Sequence, residues 1–350
     1  MRSLDLNLAD MSIRTEADLE ELLSRPGEST AEAMATLEGD LLILGAGGKM
    51  GPSLARLARR ACEQAGVRKR IIAVARFTNS KLRAELAKDG VETIACDLLD
   101  REALGRLPDV PNVIFMAARK FGTAGEAHMT WAMNTYLPGL VADRYRASQI
   151  VAFSTGNVYP LRSISQGGAT EETPVDPIGE YAQSALGRER MFEYGSARWG
   201  TRGVILRLNY AVELRYGVLV DIGLSVFERR PISLGMPCVN VIWQGDANSW
   251  CLRSFAHCQA PPPIINITGT KALSVRELAL EFGKHFGVEP IFAGTESTSA
   301  LLNDAAKARE LFGEPNVGTA DLIGWIADWI RNGGTLLNKP THFQTRDGKF

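Results

Sequence analysis

The fold is decided by residues 41–64, which read LLILGAGGKMGPSLARLARRACEQ. A short apolar run comes first, glycines follow at positions 45, 48 and 51, and apolar side chains then recur with helical spacing. This order predicts a buried strand, a tight glycine turn and a helix. The start of such a helix presents free backbone N–H groups and the positive end of its dipole, which suit a pyrophosphate. The turn therefore predicts a dinucleotide site at Gly45, Gly48, Lys49, Met50 and Gly51.

Short apolar runs like the first one recur along the chain, separated by helix-sized segments. They lie at 71–76, 91–98, 112–118, 149–155, 203–209 and 263–269. Runs of this length bounded by turn residues are typical of buried parallel strands. The predicted fold class is therefore α/β, a Rossmann-type doubly wound parallel sheet.

Pattern changes along the chain predict its domain organisation. Residues 1–39 form an N-terminal helical appendage, in which Thr15 begins a helix, and residues 40–170 form the dinucleotide-binding domain, completed by the strands near 203–209 and 263–269. Residues 171–331 form a smaller substrate lobe, built mainly from insertions and C-terminal helices. Residues 332–350 are a polar tail that we expect to be peripheral.

Composition excludes several classes of function. Lys and Arg number 39 against 40 Asp and Glu, which gives a net charge of −1 and no electrostatic attraction to nucleic acid or an anionic membrane. The 45% hydrophobic content fits a globular core, and no run approaches the ~20 apolar residues of a membrane span. Five cysteines without a C-x-x-C pair, and an acidic N-terminal segment, favour a reducing cytoplasm. Cys251, His257 and Cys258 lack a fourth ligand at a known spacing, so no metal is expected.

The end of the second strand decides the cofactor. An acidic residue there would accept the ribose 2′-hydroxyl of NAD, whereas this chain has Arg76, whose guanidinium suits a 2′-phosphate. NADP is favoured and NAD is possible; alternatively, Arg76 lies on the surface without a role. Cofactor contacts are also expected where the third and fourth strands end, at Asp97-Leu98 and Ala117-Ala118.

These features together resemble a known family, the extended short-chain dehydrogenase/reductases, and above all its sugar-nucleotide epimerases and dehydratases. The resemblance runs from about residue 41 to about residue 330. The residues that carry it are the G-x-x-G-x-x-G turn, Asp97-Leu98, FMAARKFG (115–122), Asn134, FSTGNVYP (153–160) and Tyr181.

The resemblance implies roles for individual residues. Thr155 would polarise the substrate oxygen, Tyr181 would exchange its proton, and Asn134 would support the site through the helix that bears it. Contacts with the cofactor would come from Ser154, Lys120 and Tyr181. Contacts with the substrate would come from Asn209 and Tyr210, which follow a matching strand.

The chain departs from this family at two positions. Ala185 stands where the family has a lysine that lowers the pKa of the catalytic phenol, so Arg188 and Lys120 are alternative sources of positive charge. Val239 stands where an arginine commonly holds a substrate diphosphate. Substitutes for that arginine would be Arg229, Arg230 or Arg253.

Two functions remain open at this stage. The first is an NAD(P)-dependent epimerase/dehydratase-like oxidoreductase that transfers a hydride to or from a sugar or sugar-derived hydroxyl or ketone. The second is a catalytically impaired NAD(P)-binding sensor or structural protein, which Ala185 favours. A homodimer is expected through the helices around 126–147 and 180–198. Its predicted seam comprises Met129, Met133, Leu137, Leu140, Val141, Ala185, Met191 and Phe192.

Overall fold

A single parallel sheet of seven strands organises the protein. The computed structural model describes residues 13–120 and 125–348. The strands are β1 (Leu41–Leu44), β2 (Ile71–Ala75), β3 (Glu92–Ala95), β4 (Asn112–Phe115), β5 (Gln149–Thr155), β6 (Gly203–Leu208) and β7 (Ile264–Ile267). Their order across the sheet is β7-β6-β5-β4-β1-β2-β3, and every pairing is parallel. Each predicted apolar run contains one strand, so the α/β prediction is confirmed.

Helices cover both faces of the sheet, which is why the central strand β1 is apolar throughout. Leu41 and Ile43 of β1 pack in one hydrophobic cluster, whereas Leu42 and Leu44 pack in another on the opposite face. The helices are α1 (Glu16–Leu23), α2 (Glu28–Thr36), α3 (Gly51–Gln64), α4 (Ser80–Lys88), α5 (Arg101–Gly105), α6 (Ala127–Trp131), α7 (Leu137–Arg144), α8 (Gly179–Trp199), α9 (Val218–Phe227), α10 (Gln244–Arg253), α11 (Val275–Phe286), α12 (Ala306–Phe312) and α13 (Thr319–Arg331). A π-helical turn, Ala132–Tyr136, joins α6 to α7.

A second hydrophobic core belongs to the smaller lobe. It is formed largely by α9, α11 and α13. Short strand pairs complete the lobe: 211–212 with 242–243, 232–233 with 292–293, 238–239 with 273–274, and 162–163 with 299–300. Val212, next to the end of β6, lies in this core, so the lobe begins where the sheet ends.

The two N-terminal helices pack against different hydrophobic cores. Thr15 caps α1 with a capping box, and Leu19 of α1 packs in the core of the smaller lobe. Met34 of α2 packs instead against the dinucleotide-binding domain. Glu20 of α1 pairs with Arg56 of α3 at 2.8 Å and with Arg215 of the smaller lobe at 2.8 Å. These helices therefore connect the two halves of the molecule.

The expectation of a peripheral tail is wrong for Thr341 and Phe343. Thr341 and Phe343 are buried, and Phe343 belongs to the core of the smaller lobe. Both the amide and the hydroxyl of Thr341 donate to Asp221 of α9, at 2.8 and 2.6 Å. A lone phenylalanine in a polar segment gives no periodic signal, so the sequence pattern could not show this packing.

The described part of the chain contains neither a membrane-spanning helix nor a metal-binding cluster. No helix there combines the length and apolar character that crossing a membrane requires. Over the same residues, no group of three or more His, Cys, Asp or Glu side chains could hold a metal ion. Cys251 and Cys258 are buried, and the His257 ring lies edge-on to Phe312.

Candidate functional site

The glycine turn after β1 allows an approach that side chains would block. Gly45 has a φ of +93°, and a Cβ there would lie 2.5 Å from the backbone nitrogen of Ala117. A Cβ at Gly51 would lie 2.3 Å from the carbonyl oxygen of Ala46. Between them, Gly47 and Gly48 are exposed and line the adjoining cleft. The start of α3 thus has the bare backbone that a cofactor pyrophosphate requires.

The cleft beside this turn has a volume of about 1760 Å³ and extends to the smaller lobe. Most of the predicted site residues lie on its walls. These are Gly45, Gly48, Lys49, Met50, Ala118, Lys120, Ser154, Thr155, Tyr181, Asn209 and Tyr210. The others lie outside the walls: Gly51, Leu98, Ala117 and Asn134 are buried, whereas Arg76 and Asp97 are exposed.

Arg76 lies at the edge of the glycine turn. The residue before it, Ala75, is close enough that a Cβ at Gly47 would lie 3.0 Å from the Ala75 methyl group. Within the described residues, Arg76 forms no hydrogen bond or ion pair. Asp97, at the neighbouring strand end, accepts a hydrogen bond from the amide of Leu99 at 3.1 Å. The guanidinium of Arg76 is therefore accessible to a ligand in the turn.

Tyr181 and Lys120 meet in the cleft. Tyr181 lies in the first turn of α8 and is 9% exposed, and the ammonium of Lys120 lies 5.7 Å from the centroid of its ring. Burial lowers the pKa of Lys120 to about 8, against the opposing attraction of Asp221. Lys120 thus brings to the phenol a positive charge from the loop after β4.

The position of the missing lysine is filled by apolar packing. Ala185 is fully buried in a small cluster with Val158, Tyr159 and Ala169. Arg188, the other predicted source of charge, is 3% exposed and donates to the Phe153 carbonyl at 2.8 Å and to Asn134 at 3.0 Å. Both candidate cations act on Tyr181: the Lys120 ammonium lies 5.7 Å from the centroid of its ring, and Arg188 interacts electrostatically with its phenol.

Thr155 and Ser154 end β5 on the cleft wall. The Thr155 hydroxyl donates to Asn157 Oδ1 at 3.1 Å and accepts from the Asn157 amide at 3.2 Å, so it caps the short turn that follows. The Ser154 hydroxyl donates to Glu189 of α8. Glu189 in turn binds Arg207 of β6 in a bidentate pair at 2.7 and 3.0 Å. These bonds fix the end of β5 against α8 and β6.

Asn134 holds the site from behind. It is fully buried within the π-helical turn, and its Oδ1 accepts from the Arg119 amide at 2.8 Å and from Arg188 at 3.0 Å. Its Nδ2 donates to the Arg119 carbonyl at 2.9 Å and to Ser184 at 3.0 Å. One amide therefore joins the loop that carries Lys120 to the helix that carries Tyr181. Such π turns occur often at functional sites.

Asn209, Tyr210 and Lys49 also line the cleft. Asn209 donates to Asn240 at 3.2 Å, and Tyr210 adopts a positive φ of 45° as the chain leaves β6. Lys49 extends from the glycine turn across the cleft, where its ammonium donates to the Ala211 carbonyl at 3.1 Å. The same ammonium lies 3.6 Å from the centroid of the Tyr216 ring.

The proposed substitutes for the diphosphate arginine lie away from this cleft. Val239 itself is fully buried in the core of the smaller lobe. Arg253 donates to the Phe312 carbonyl at 2.8 Å, and Arg230 pairs with Glu228 at 2.6 Å. Neither they nor Arg229 is among the cleft-lining residues of the described chain.

The sequence interpretation missed two groups. Glu189 and Arg207 were not singled out, although a charged residue within an apolar strand, as in VILRLN, requires a buried partner. The side chain of Lys49 was also missed, because only its backbone was assigned a role. No local pattern shows that this side chain reaches the other lobe.

Comparison with known proteins places the glycine turn and the Thr155 strand in one family. A model of the NAD dependent epimerase/dehydratase family matches residues 41–212. This region is similar to that family. The resemblance to extended epimerases and dehydratases is thereby confirmed. No curated protein sequence matches the chain.

Solved structures share the fold of this chain. The dTDP-glucose 4,6-dehydratase of Streptomyces venezuelae, with NAD bound, is 20% identical, with a TM-score of 0.70, over 83% of this chain and 97% of that one. The UDP-glucuronic acid 4-epimerase of Bacillus cereus, in complex with NAD, is 18% identical, with a TM-score of 0.69, over 83% and 98%. The UDP-glucose 4-epimerase of Thermus thermophilus, in complex with NAD, is 18% identical, with a TM-score of 0.68, over 83% and 99%.

Proposed function

We propose that the protein is an NAD(P)-dependent oxidoreductase of the epimerase/dehydratase type, acting on a sugar or sugar-derived hydroxyl or ketone. The observation that carries the proposal is that Thr155, Tyr181 and Lys120 line one cleft together with the glycine turn, with Lys120 close to the Tyr181 ring. A bound nicotinamide would supply the hydride chemistry. It would be held by the turn at Gly45 and Gly48 and by the strand ends beside it.

The chain's own residues would manage the proton. Tyr181 would exchange a proton with the substrate oxygen, and Thr155 would orient that oxygen through its hydroxyl. The Lys120 ammonium would favour the ionised phenol, because an opposite charge nearby stabilises the charged form. Asn134 is a positioning residue, since it fixes the Lys120 loop and α8 relative to each other.

The test of this function is hydride transfer. Purified protein with NADP or NAD is incubated with a panel of hydroxy and keto sugars, and formation or loss of the reduced nicotinamide is followed by absorbance. Because an internal oxidation and reduction cycle leaves no net change in the cofactor, the products are also analysed by NMR. Turnover that is absent from Tyr181→Phe supports the proposal, and turnover that Tyr181→Phe retains contradicts it.

A second candidate is a binding protein that has lost turnover. The apolar environment of Ala185 favours it, because the ammonium of a lysine within this cluster would lie among apolar side chains. Such a protein would bind NAD(P) and release it unchanged with every sugar tested. A tight cofactor complex without hydride transfer or a sugar product would support this candidate over the enzyme.

We predict a preference for NADP over NAD, which Arg76 would provide. Arg76→Glu is expected to weaken NADP binding about 10- to 100-fold and to favour NAD, because a carboxylate repels the 2′-phosphate and accepts from the ribose hydroxyl. Calorimetric titration with both cofactors measures this change. Lys271→Glu, an exposed change of the same charge, serves as the control. Wild-type protein that binds NAD tenfold more tightly would show that Arg76 has no such role.

We also propose a homodimer through α7 and α8, with a seam that differs from the predicted one. Leu137, Val141, Ala185 and Phe192 are buried within the protomer, so they cannot form it. Tyr136, which ends the π-helical turn before α7, and Tyr194 of α8 are 50% and 58% exposed. Light scattering at micromolar concentration is expected to give twice the 38.1 kDa chain mass. Tyr136→Glu with Tyr194→Glu should give the monomer mass, whereas Leu280→Glu, on exposed α11, should not.

We place this activity in the cytoplasm. The five cysteines are all free, and four of them are buried. Burial raises the pKa of Cys251 and of Cys258, so their thiols remain protonated and unreactive near neutral pH. Free thiols are typical of proteins in a reducing compartment.

A further inference from the structure

The arginines on the cleft walls are all engaged with protein groups. Arg56 pairs with Glu20 and Asp89, at 2.8 and 2.6 Å, and Arg60 pairs with Glu21 at 2.6 Å. A nucleotide diphosphate is bound best by the bidentate fork of a free guanidinium. These two arginines face the outer part of the cleft, and neither has its fork free.

The same is true of the arginines closer to Tyr181. Arg215 pairs with Glu213 at 3.1 Å and with Glu20 at 2.8 Å. Arg188 uses one Nη on the Phe153 carbonyl and the other on Asn134. Within the described cleft walls, therefore, no arginine is available for a diphosphate.

Lys49 is the cation that this end of the cleft offers instead. Its ammonium lies over Tyr216 and has Ala211 as its hydrogen-bond acceptor among the described residues. An ammonium has three N–H donors, so two remain for a ligand. The side chain leaves the glycine turn and ends at the wall of the smaller lobe, which directs the charge toward the substrate rather than toward the start of α3.

The charged groups around Lys49 leave its ammonium incompletely neutralised. Glu213 and Asp221 attract it, but Glu213 is paired with Arg215, and Asp221 accepts two hydrogen bonds from Thr341. Lys120 and Arg215 repel it. Burial, against the attraction of Glu213, lowers the pKa of Lys49 to about 7. A ligand carboxylate or phosphate would restore its charge.

We infer that the substrate is a hydroxy or keto sugar that carries one small anionic group, a carboxylate or a phosphate monoester, and no nucleotide diphosphate, and that Lys49 pairs with that group. This inference rests on the proposed function, because it names the substrate class of the same cleft. It also separates this chain from its structural neighbours, several of which were solved with UDP-glucose or UDP-glucuronic acid bound.

The experiment is calorimetric titration of the protein saturated with NADP. The probes are D-glucuronate for the carboxylate, D-glucose 6-phosphate for the phosphate monoester, and UDP-glucose for the diphosphate. At least one acidic sugar should bind more tightly than UDP-glucose. Lys49→Met should weaken that binding about tenfold or more, as expected for loss of a charge-assisted hydrogen bond, while Lys271→Met should not change it.

A pH series distinguishes ion pairing by Lys49 from a purely structural role of this residue. The wild-type affinity for D-glucuronate should be constant below pH ~6 and should fall as Lys49 loses its proton above pH ~7, since that sugar stays ionised throughout. Lys49→Arg should bind with no such fall up to pH ~9, because a guanidinium stays charged.

The inference would be overturned by tenfold tighter binding of UDP-glucose than of both acidic sugars, by no binding of either acidic sugar, or by equal binding of the acidic sugar by wild type and Lys49→Met. A Lys49→Met variant that loses NADP affinity while its remaining complex binds the acidic sugar normally would also overturn it, since Lys49 would then hold the cofactor. Binding is measured at equilibrium and in Tyr181→Phe as well, so failure of the proposed hydride transfer leaves this test intact.

Discussion

Replacing Lys120 with Met is expected to lower kcat by about 10²-fold or more, which is the usual contribution of an acid–base group. The reason is that Ala185 cannot supply the charge that would favour an ionised Tyr181, whereas the Lys120 ammonium lies 5.7 Å from the Tyr181 ring. Methionine keeps most of the volume and removes the charge. Steady-state kinetics on the sugar found in the hydride-transfer test measures the loss.

The pKa of Lys120 also predicts how kcat changes with pH. Burial lowers the pKa of Lys120 to about 8, so the ammonium is present below that pH and is lost above it. Wild-type kcat should therefore fall as the pH rises through about 8. Lys120→Arg should remain active at higher pH, because its guanidinium keeps its proton, and Lys120→Met should show no fall at this pH.

Two further variants serve as controls for the Lys120 prediction. Tyr181→Phe should abolish turnover at every pH, because it removes the proton-exchanging hydroxyl. Lys284→Met should behave as wild type, because its ammonium pairs with Glu281 on the exposed face of α11. If Lys120→Met keeps the wild-type kcat and pH profile, the charge comes from another group. Arg188, a buried residue of the helix that also carries Tyr181, would then be the first to test.

The sheet could be predicted because buried parallel strands are apolar on both faces. β1 and β4 show this directly, since every residue in them is buried and every run matched a strand. The glycine turn was equally visible, because its function depends on the absence of side chains at Gly45 and Gly51. Both signals are local in the sequence.

Groups that act across the fold could not be predicted in this way. Lys49 and Ala211 are 162 residues apart, and Asn266 and Tyr159, which bond behind the site, are 107 apart. Part of the predicted seam is buried within the protomer for the same reason. Phe192 has helical spacing suited to a dimer face, but it packs edge-to-face on Phe115 of the same protomer. Periodicity shows that a face is apolar and does not show what covers it.

Replacing Glu189 with Leu is expected to lower the free energy of unfolding by about 3–5 kcal/mol. Glu189 is fully buried, and Arg207, at 2% exposure, would be left as a buried guanidinium without a carboxylate. Urea denaturation followed by circular dichroism measures the change. The matched control is Glu193→Gln on the same helix, where the pair with Arg190 is exposed and should contribute less than about 1 kcal/mol.

The double variant Glu189→Leu with Arg207→Met tests whether the loss of stability comes from the unpaired Arg207 charge or from the loss of the ion pair itself. Because a buried pair replaced by apolar side chains is often neutral in stability, the double variant should recover most of the loss. If it remains as unstable as Glu189→Leu alone, the unpaired guanidinium is not the cause. Its activity then becomes informative, since Glu189 also accepts the Ser154 hydroxyl next to Thr155. A double variant that is stable but slow would show that this buried carboxylate positions the end of β5 for catalysis, beyond holding α8 to the sheet.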